Sequence, residues 1–271
     1  MTVGRARYST ICAEDGGIVD DLVVYRLAAE RYLVVANAGN VGVVHEALAE
    51  RAATYDASVR DRTRDWALIA VQGPSSARIL SGLVDLDPDV LEYYSIASAV
   101  LSGVAVLIAR TGYTGEDGFE LYLRPEDAPA VWDVLASAGE PHGLVPAGLA
   151  CRDTLRLEAG MPLYGHELGR DVTPFEAGLG RLVDFGKEAG FVGDAALAVR
   201  RDSGPASVLV GLVSSGRRSP RHGHPIVEPG TGHVVGHVTS GSHSPTLGHP
   251  IAIARVSPGV GRPGTRLVVS V

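Results

Sequence analysis

The chain has 271 residues, of which 45% are apolar and 20% charged, and it carries a formal net charge of −7. At roughly 150 residues per domain this length provides for about two domains, and the apolar content excludes a disordered chain. The acidic balance argues against a nucleic-acid partner, which needs a basic face to displace counterions.

In chain order, residues 7–13 form a short β-rich run that stops at Glu14, Asp15, Gly16 and Gly17, a strong turn signal. The runs 19–27 and 32–36 follow, joined by a short polar connection, and predict a hairpin. Val41, Val44 and Leu48 recur at helical spacing, so 40–51 is expected to be a helix with Asn40 as its N-cap. Residues 66–71 predict a strand ended by Gly73 and Pro74, after which Ser75 or Ser76 caps a helix through Leu83. Two further β-rich runs, 100–109 and 119–123, flank the glycine-rich stretch 111–118. Pro125 opens a helix with Val131, Val134 and Leu135 on one face, and 147–159 forms another helix stopped by Gly160.

Beyond Lys187 the texture changes. The runs 208–213, 226–227, 234–239, 251–256 and 267–271 are short, β-type and separated by Gly and Pro, the pattern of a small barrel or sandwich. A domain boundary is expected near Ser203, Gly204 and Pro205, giving domains 1–203 and 204–271. The fold class expected is therefore α+β, antiparallel sheets with helices followed by a C-terminal β-barrel or sandwich.

The longest apolar stretch, 99–109, is interrupted by Ser102 and Gly103 and falls short of the ~20 residues that cross a bilayer. The opening residues carry positive charge without an apolar region behind them, so no secretory signal is expected. Cys12 and Cys151 lie far apart in no CxxC pattern, as suits a reducing, cytoplasmic setting. Six of nine histidines follow residue 220, and the Arg221-His222-Gly223-His224 run has the look of a metal pair. Cysteine or carboxylate partners at recurring spacing are missing, so surface histidines are expected and no metal site.

Asp20 and Asp21 are the first costly feature, two carboxylates at the mouth of an apolar strand. Successive strand side chains point to opposite faces, so Asp20 shares a face with Leu22 and Val24, and Asp21 with Val23 and Tyr25. They therefore cannot share a proton as a dyad. Capping of the Gly16-Gly17 turn and a chemical role for one of them both stay open on pattern alone.

Ten or so ordered motifs settle a likeness. They are RARYS at 5–9, DGGIVDDLVVY at 15–25, AVQGP at 70–74, RTGYTGEDG at 110–118, RDTLRLEAGM at 152–161, LYGHE at 163–167, TP at 173–174, FVG at 191–193, TSG at 239–241 and SPTLG at 244–248. Together they resemble the T-protein family of the glycine cleavage system, the folate-dependent aminomethyltransferases. The resemblance implies three small subdomains around a cavity for tetrahydrofolate, the co-substrate, with no metal. It implies a lipoylated carrier protein as partner: an aminomethyl group arrives on the dihydrolipoyl arm, ammonia leaves, and methylene-tetrahydrofolate forms. A membrane or nucleic-acid partner is not expected.

Residue by residue, the resemblance places the carboxylate near folate's reactive nitrogens on Asp20, which shifts the reading of Asp20 from turn capping to catalysis, while Asp21 keeps the structural role. Glu158 falls on the glutamate that grips the pterin edge, whose amino group and N–H form a two-donor face that a carboxylate accepts. Asn37 and Tyr8 fall on folate-lining positions and Lys187 on a basic position facing a folate carboxylate. The exposed-looking group Arg60, Arg62 and Arg64 would steer an acidic carrier. The motifs begin almost at Met1, so the family's opening segment and its closing tail are expected to be missing, and the alternative to an active enzyme is a truncated, non-catalytic folate-binding relative. A folate-binding protein of iron–sulfur assembly is disfavoured, since Gly160 to Tyr164 lack that group's cysteine. A demethylase fragment is disfavoured by the lack of a dinucleotide-binding GxGxxG.

Overall fold

The computed structural model describes residues 1–270. Contacts divide the chain into two compact units: Met1–Tyr8 with Leu22–Arg152, and Ser9–Asp21 with Asp153–Val271. The division passes through the first two strands, β1 (Ala6–Cys12) and β2 (Ile18–Ala28), which with β3 (Arg31–Ala36) make a three-stranded sheet in the order β1-β2-β3.

In the first unit β2 and β3 form the expected antiparallel hairpin, with Leu22 opposite Ala36 and Arg26 opposite Tyr32. Helix α1 (Val41–Ala52) begins where predicted, yet Asn40 at its N-cap makes no side-chain capping hydrogen bond. The expected strand is β4 (Ala67–Gln72), followed by α2 (Ser76–Leu80), which ends before Leu83. Ser75 does not cap it either; its hydroxyl accepts from Arg78 at 3.0 Å.

The apolar run 100–109 is not one strand. It belongs to a hairpin, β5 (Ile96–Leu101) and β6 (Val104–Ala109), turned at Ser102 and Gly103, both with positive φ. With β7 (Gly118–Leu123) these strands form a sheet in the order β4-β7-β6-β5. Its side chains alternate between two faces, each with apolar partners, while Leu68, Ala70, Val100 and Ala105 stay exposed. Ile69, Val71, Val106, Ile108, Phe119, Leu121 and Leu123 pack with Leu80 of α2 and with Val131 and Leu135 of α3 (Ala128–Gly139). Ala109 and Tyr122 face the other way, into a cluster with Tyr25, Leu33 and Val35 of the β2–β3 hairpin. Apolar partners against parts of both faces explain why the strands carry apolar residues at successive positions.

Helix α4 (Leu149–Glu158) ends at Gly160, whose φ of +69° is a left-handed stop that glycine accepts without strain. In the second unit α5 (Asp194–Ser203) packs Leu197 with Ile18, Leu168 and Val172. Strands β8 (Val208–Val213), β9 (Pro225–Val227), β10 (Val234–Ser244), β11 (His249–Val256) and β12 (Val268–Val269) then form one antiparallel sheet in the order β12-β9-β10-β11-β8. The expected β-runs all recur here, with β10 extended five residues past Thr239. Val271, placed in the last run, lies outside the described residues. The mixed α+β architecture with a C-terminal antiparallel domain is the expected one. No helix among the described residues is long and apolar enough to cross a membrane.

Candidate functional site

Asp20 lies three residues past the tight turn that opens β2, and none of its surface is exposed. Three bonds close the turn ahead of it. Gly16 donates to the Ala13 carbonyl at 3.0 Å, Ala13 donates to the Gly17 carbonyl at 2.9 Å, and the Asp15 carboxylate accepts the Gly17 N–H at 3.0 Å. Glycine is required at position 17, where a Cβ would stand 2.1 Å from the Arg170 carbonyl oxygen. Asp15 thus caps this turn through the Gly17 N–H. Ile18, Val19 and Asp20 are all buried and Asp21 is half-buried, so both faces of this strand end are covered.

Glu158 is the last residue of α4, where a carboxylate opposes the helix dipole. Three donors compensate it. Ser244 Oγ donates to Oε1, the Thr246 N–H donates to Oε1 at 3.3 Å, and Thr246 Oγ1 donates to Oε2 at 2.9 Å. Burial pushes the carboxyl up, and the bonds from Ser244 and Thr246 outweigh it, holding the group below the usual carboxylate range.

Two residues before it, Arg156 is enclosed. Its Nε donates to Asp153 at 2.8 Å, Nη1 to the Met161 carbonyl at 3.1 Å and to Glu167 Oε2 at 3.0 Å, and Nη2 to Ser240 Oγ at 2.7 Å. Glu167 Oε2 also accepts the Leu163 N–H at 2.9 Å. Helix α4 is thereby tied to β10 twice, through Arg156–Ser240 and Glu158–Ser244.

The other expected site residues divide between the units. Asp20, Glu158 and Lys187 belong to the second, Tyr8 and Asn37 to the first. Tyr8 and Asn37 are half-buried, Asn37 just ahead of the short turn 38–40. Lys187 is exposed, with its Nζ 5.4 Å from the centre of the Phe191 ring. Arg60, Arg62 and Arg64 are exposed, and Arg62 pairs with Asp65 at 2.7 Å.

Sequence reasoning finds Glu158 but not its partners. Asp153 and Arg156 at helical spacing are a legible pair. Glu167, Ser240, Ser244 and Thr246 are joined to the helix end only by folding, and no local pattern announces them. The histidine-rich end gives no metal cluster: among the described residues no group of three or more His, Cys, Asp or Glu is arranged to hold an ion. His166 and His222 instead each place Nδ1 2.8 Å from the Thr239 carbonyl oxygen, at a bulge between Val238 and Ser240.

An antiparallel α+β region followed by a C-terminal β-domain, with a buried carboxylate beyond a double-glycine turn, defines a class that the comparisons resolve. Residues 1–187 match the GCVT N-terminal domain and residues 208–271 the glycine cleavage T-protein C-terminal barrel domain. The chain belongs to the glycine cleavage T-protein family. It is 60% identical to the aminomethyltransferase of Streptomyces coelicolor over 97% of its own length and 71% of that protein's. It is 55% identical to the aminomethyltransferase of Saccharopolyspora erythraea, over 100% of its length and 74% of the relative's. The crystal structure of glycine cleavage system aminomethyltransferase T from Bartonella henselae superposes with a TM-score of 0.92 at 33% identity, covering all of this chain and 73% of that one.

Proposed function

We propose that this chain transfers an aminomethyl group from a dihydrolipoyl carrier to tetrahydrofolate, releasing ammonia and forming methylene-tetrahydrofolate, with Asp20 as its catalytic carboxylate. The observation that carries this reading is the complete burial of Asp20 on a turn that Asp15 already caps. Evolution seldom encloses an ionisable side chain without a use, because the charged form is expensive away from water. Family membership and the named aminomethyltransferase relatives support the reaction class.

The residues fit the substrate chemically. As ammonia leaves, the transferred methylene becomes electron-poor. A carboxylate fixed beside it stabilises the positive charge and holds or moves a proton during transfer. Asp20 does this without reorganising, since the strand and turn already fix its backbone. Glu158, kept ionised by its three donors, is acceptor-only and suited to the N–H groups of a pterin edge. Tyr8 and Asn37 are assigned to the folate wall and Lys187 to a folate carboxylate.

The carrier is a lipoylated protein, steered by the exposed Arg60, Arg62 and Arg64. The enzyme is assigned to the cytoplasm, a setting supported by two cysteines that are both free thiols. We retain 1–203 and 204–271 as the functional division, supported by the family boundaries at 187 and 208. The test is formation of methylene-tetrahydrofolate and ammonia by the purified 271-residue chain given aminomethyl-loaded carrier. Equimolar formation of both products is expected. A chain that binds tetrahydrofolate but forms neither product would overturn the transferase reading.

A further inference from the structure

We propose that Ser244 and Thr246 are positioning residues for the pterin-gripping carboxylate of Glu158, holding it ionised and aimed from the rigid turn between β10 and β11. This rests on the folate role of Glu158 proposed above.

The turn is built to be stiff. Gly248 donates to the Ser244 carbonyl at 2.9 Å, closing a five-residue loop, and Leu247 donates its N–H to Ser244 Oγ at 2.9 Å. A serine hydroxyl has one proton to give. With its oxygen already accepting from Leu247, and with Glu158 Oε1 in contact, that proton has one destination. Ser244 is wholly buried, so water does not compete for it. Thr246 adds a backbone and a side-chain donor, one to each carboxylate oxygen.

Lone-pair accounting gives the clamp its consequence. An ionised carboxylate offers about four acceptor positions. Oε1 spends two on Ser244 and Thr246 N–H, and Oε2 spends one on Thr246 Oγ1. One position on Oε2 remains, room for one donor of the pterin's two-donor edge, so the turn fixes which oxygen meets the ligand and from which side. At a helix C-terminus an unclamped glutamate would be both mobile and electrostatically disfavoured. The three donors remove both defects before the ligand arrives, which is how preorganisation raises affinity.

The experiment compares Ser244→Ala, Thr246→Val and Glu158→Gln in the 271-residue chain by two readouts. One is the dissociation constant of tetrahydrofolate by anaerobic calorimetry across pH 4–8; the other is the Glu158 carboxyl titration by carbon NMR in the free protein. Each loss of a charge-assisted donor is expected to weaken tetrahydrofolate roughly ten- to a hundred-fold, and to move both the Glu158 titration and the acid limb of binding to higher pH. Ser244→Thr, which restores the hydroxyl, is expected to recover most of the affinity. Thr246 is exposed, so Thr246→Val remains a folded probe should Ser244→Ala lose stability. If Glu158→Gln weakens tetrahydrofolate while Ser244→Ala and Thr246→Val leave affinity and titration unchanged, the clamp is refuted and the grip stands. If Glu158→Gln leaves affinity unchanged, or the unsubstituted chain binds no tetrahydrofolate, the folate role of Glu158 falls and the clamp falls with it.

Discussion

Arg156 and Glu167 meet at 3.0 Å with side chains 2% and 0% exposed, an ion pair removed from water next to the proposed folate-gripping helix end. Glu167 Oε1 is buried without a hydrogen-bond partner among the described residues, so the carboxylate side of the pair is under-satisfied. Removing one partner of such a pair leaves an uncompensated charge, whereas replacing both by apolar groups is often neutral or better. Arg156→Met is therefore expected to cost about 3–5 kcal/mol, and Arg156→Met with Glu167→Leu to recover much of that loss. Urea unfolding midpoints of the two variants check it; equal stability of the single variant and the parent would show that the pair contributes nothing.

A second buried polar group lies in the first unit. The Tyr25 hydroxyl sits 2.9 Å from Thr111 Oγ1 and 3.1 Å from the Tyr122 hydroxyl, and donates to Glu120 at 3.4 Å. Burial, then the charge of Glu120, pushes the Tyr25 and Tyr122 phenols far up. Burial, then Tyr93 and Glu120, lifts Tyr94 to about 12. A raised phenol pKa means the folded chain holds the proton more tightly than the unfolded chain does. The stability this provides is whole below pH 10, the ordinary tyrosine value, and is lost as pH climbs towards 12. Absorbance titration should therefore show three of the nine tyrosines ionising only together with unfolding. Tyr25→Phe is expected to cost about 1–3 kcal/mol through the groups left unpaired.

How much of this is legible in the sequence depends on the range of the interaction. The β-rich runs of β2, β3 and β8 and the helical spacing in α1 reveal element type because those signals are local. The 100–109 run reads as a single strand because apolar residues continue on either side of Ser102 and Gly103, whether buried or, like Val100 and Ala105, exposed, so composition does not announce the turn. Asn40 and Ser75 have capping chemistry but make no side-chain cap bond, and the Ser75 hydroxyl accepts from Arg78. Asp20 stands out as a charge in an apolar strand. The clamp of Ser244 and Thr246 on Glu158 spans 86 and 88 positions, and no window of sequence contains it.

The glycine-rich stretch 111–118 is bonded to Gln72 of β4. Gln72 donates to the Thr111 carbonyl at 3.1 Å and to the Phe119 carbonyl at 3.2 Å, and accepts from Thr114 Oγ1 at 3.2 Å. A Cβ at Gly112 or Gly118 would fall 1.8 or 2.5 Å from the Gln72 amide. Gly118→Ala therefore has to displace that amide and break its bonds. A loss of about 1–3 kcal/mol is expected, with Gln72→Ala giving a similar loss and the double variant adding little more. Additive losses in thermal unfolding would disconnect the glycine from the glutamine.

The strongest demand falls on Asp20. An asparagine at this position would keep the shape and remove the charge, so Asp20→Asn separates packing from chemistry. A buried residue on an established turn should tolerate an isosteric amide well enough to fold, and tetrahydrofolate, held by Glu158 in the proposed reading, should still bind. In the proposed mechanism the substitution removes the carboxylate that stabilises positive charge as ammonia departs. Turnover is expected to fall at least tenfold, a loss of about 1.4 kcal/mol or more of barrier lowering, with the tetrahydrofolate dissociation constant changed less than about threefold. Single-turnover kinetics with loaded carrier reads the chemical step directly. An unchanged rate there would remove Asp20 from the mechanism and leave its burial as a matter of folding alone.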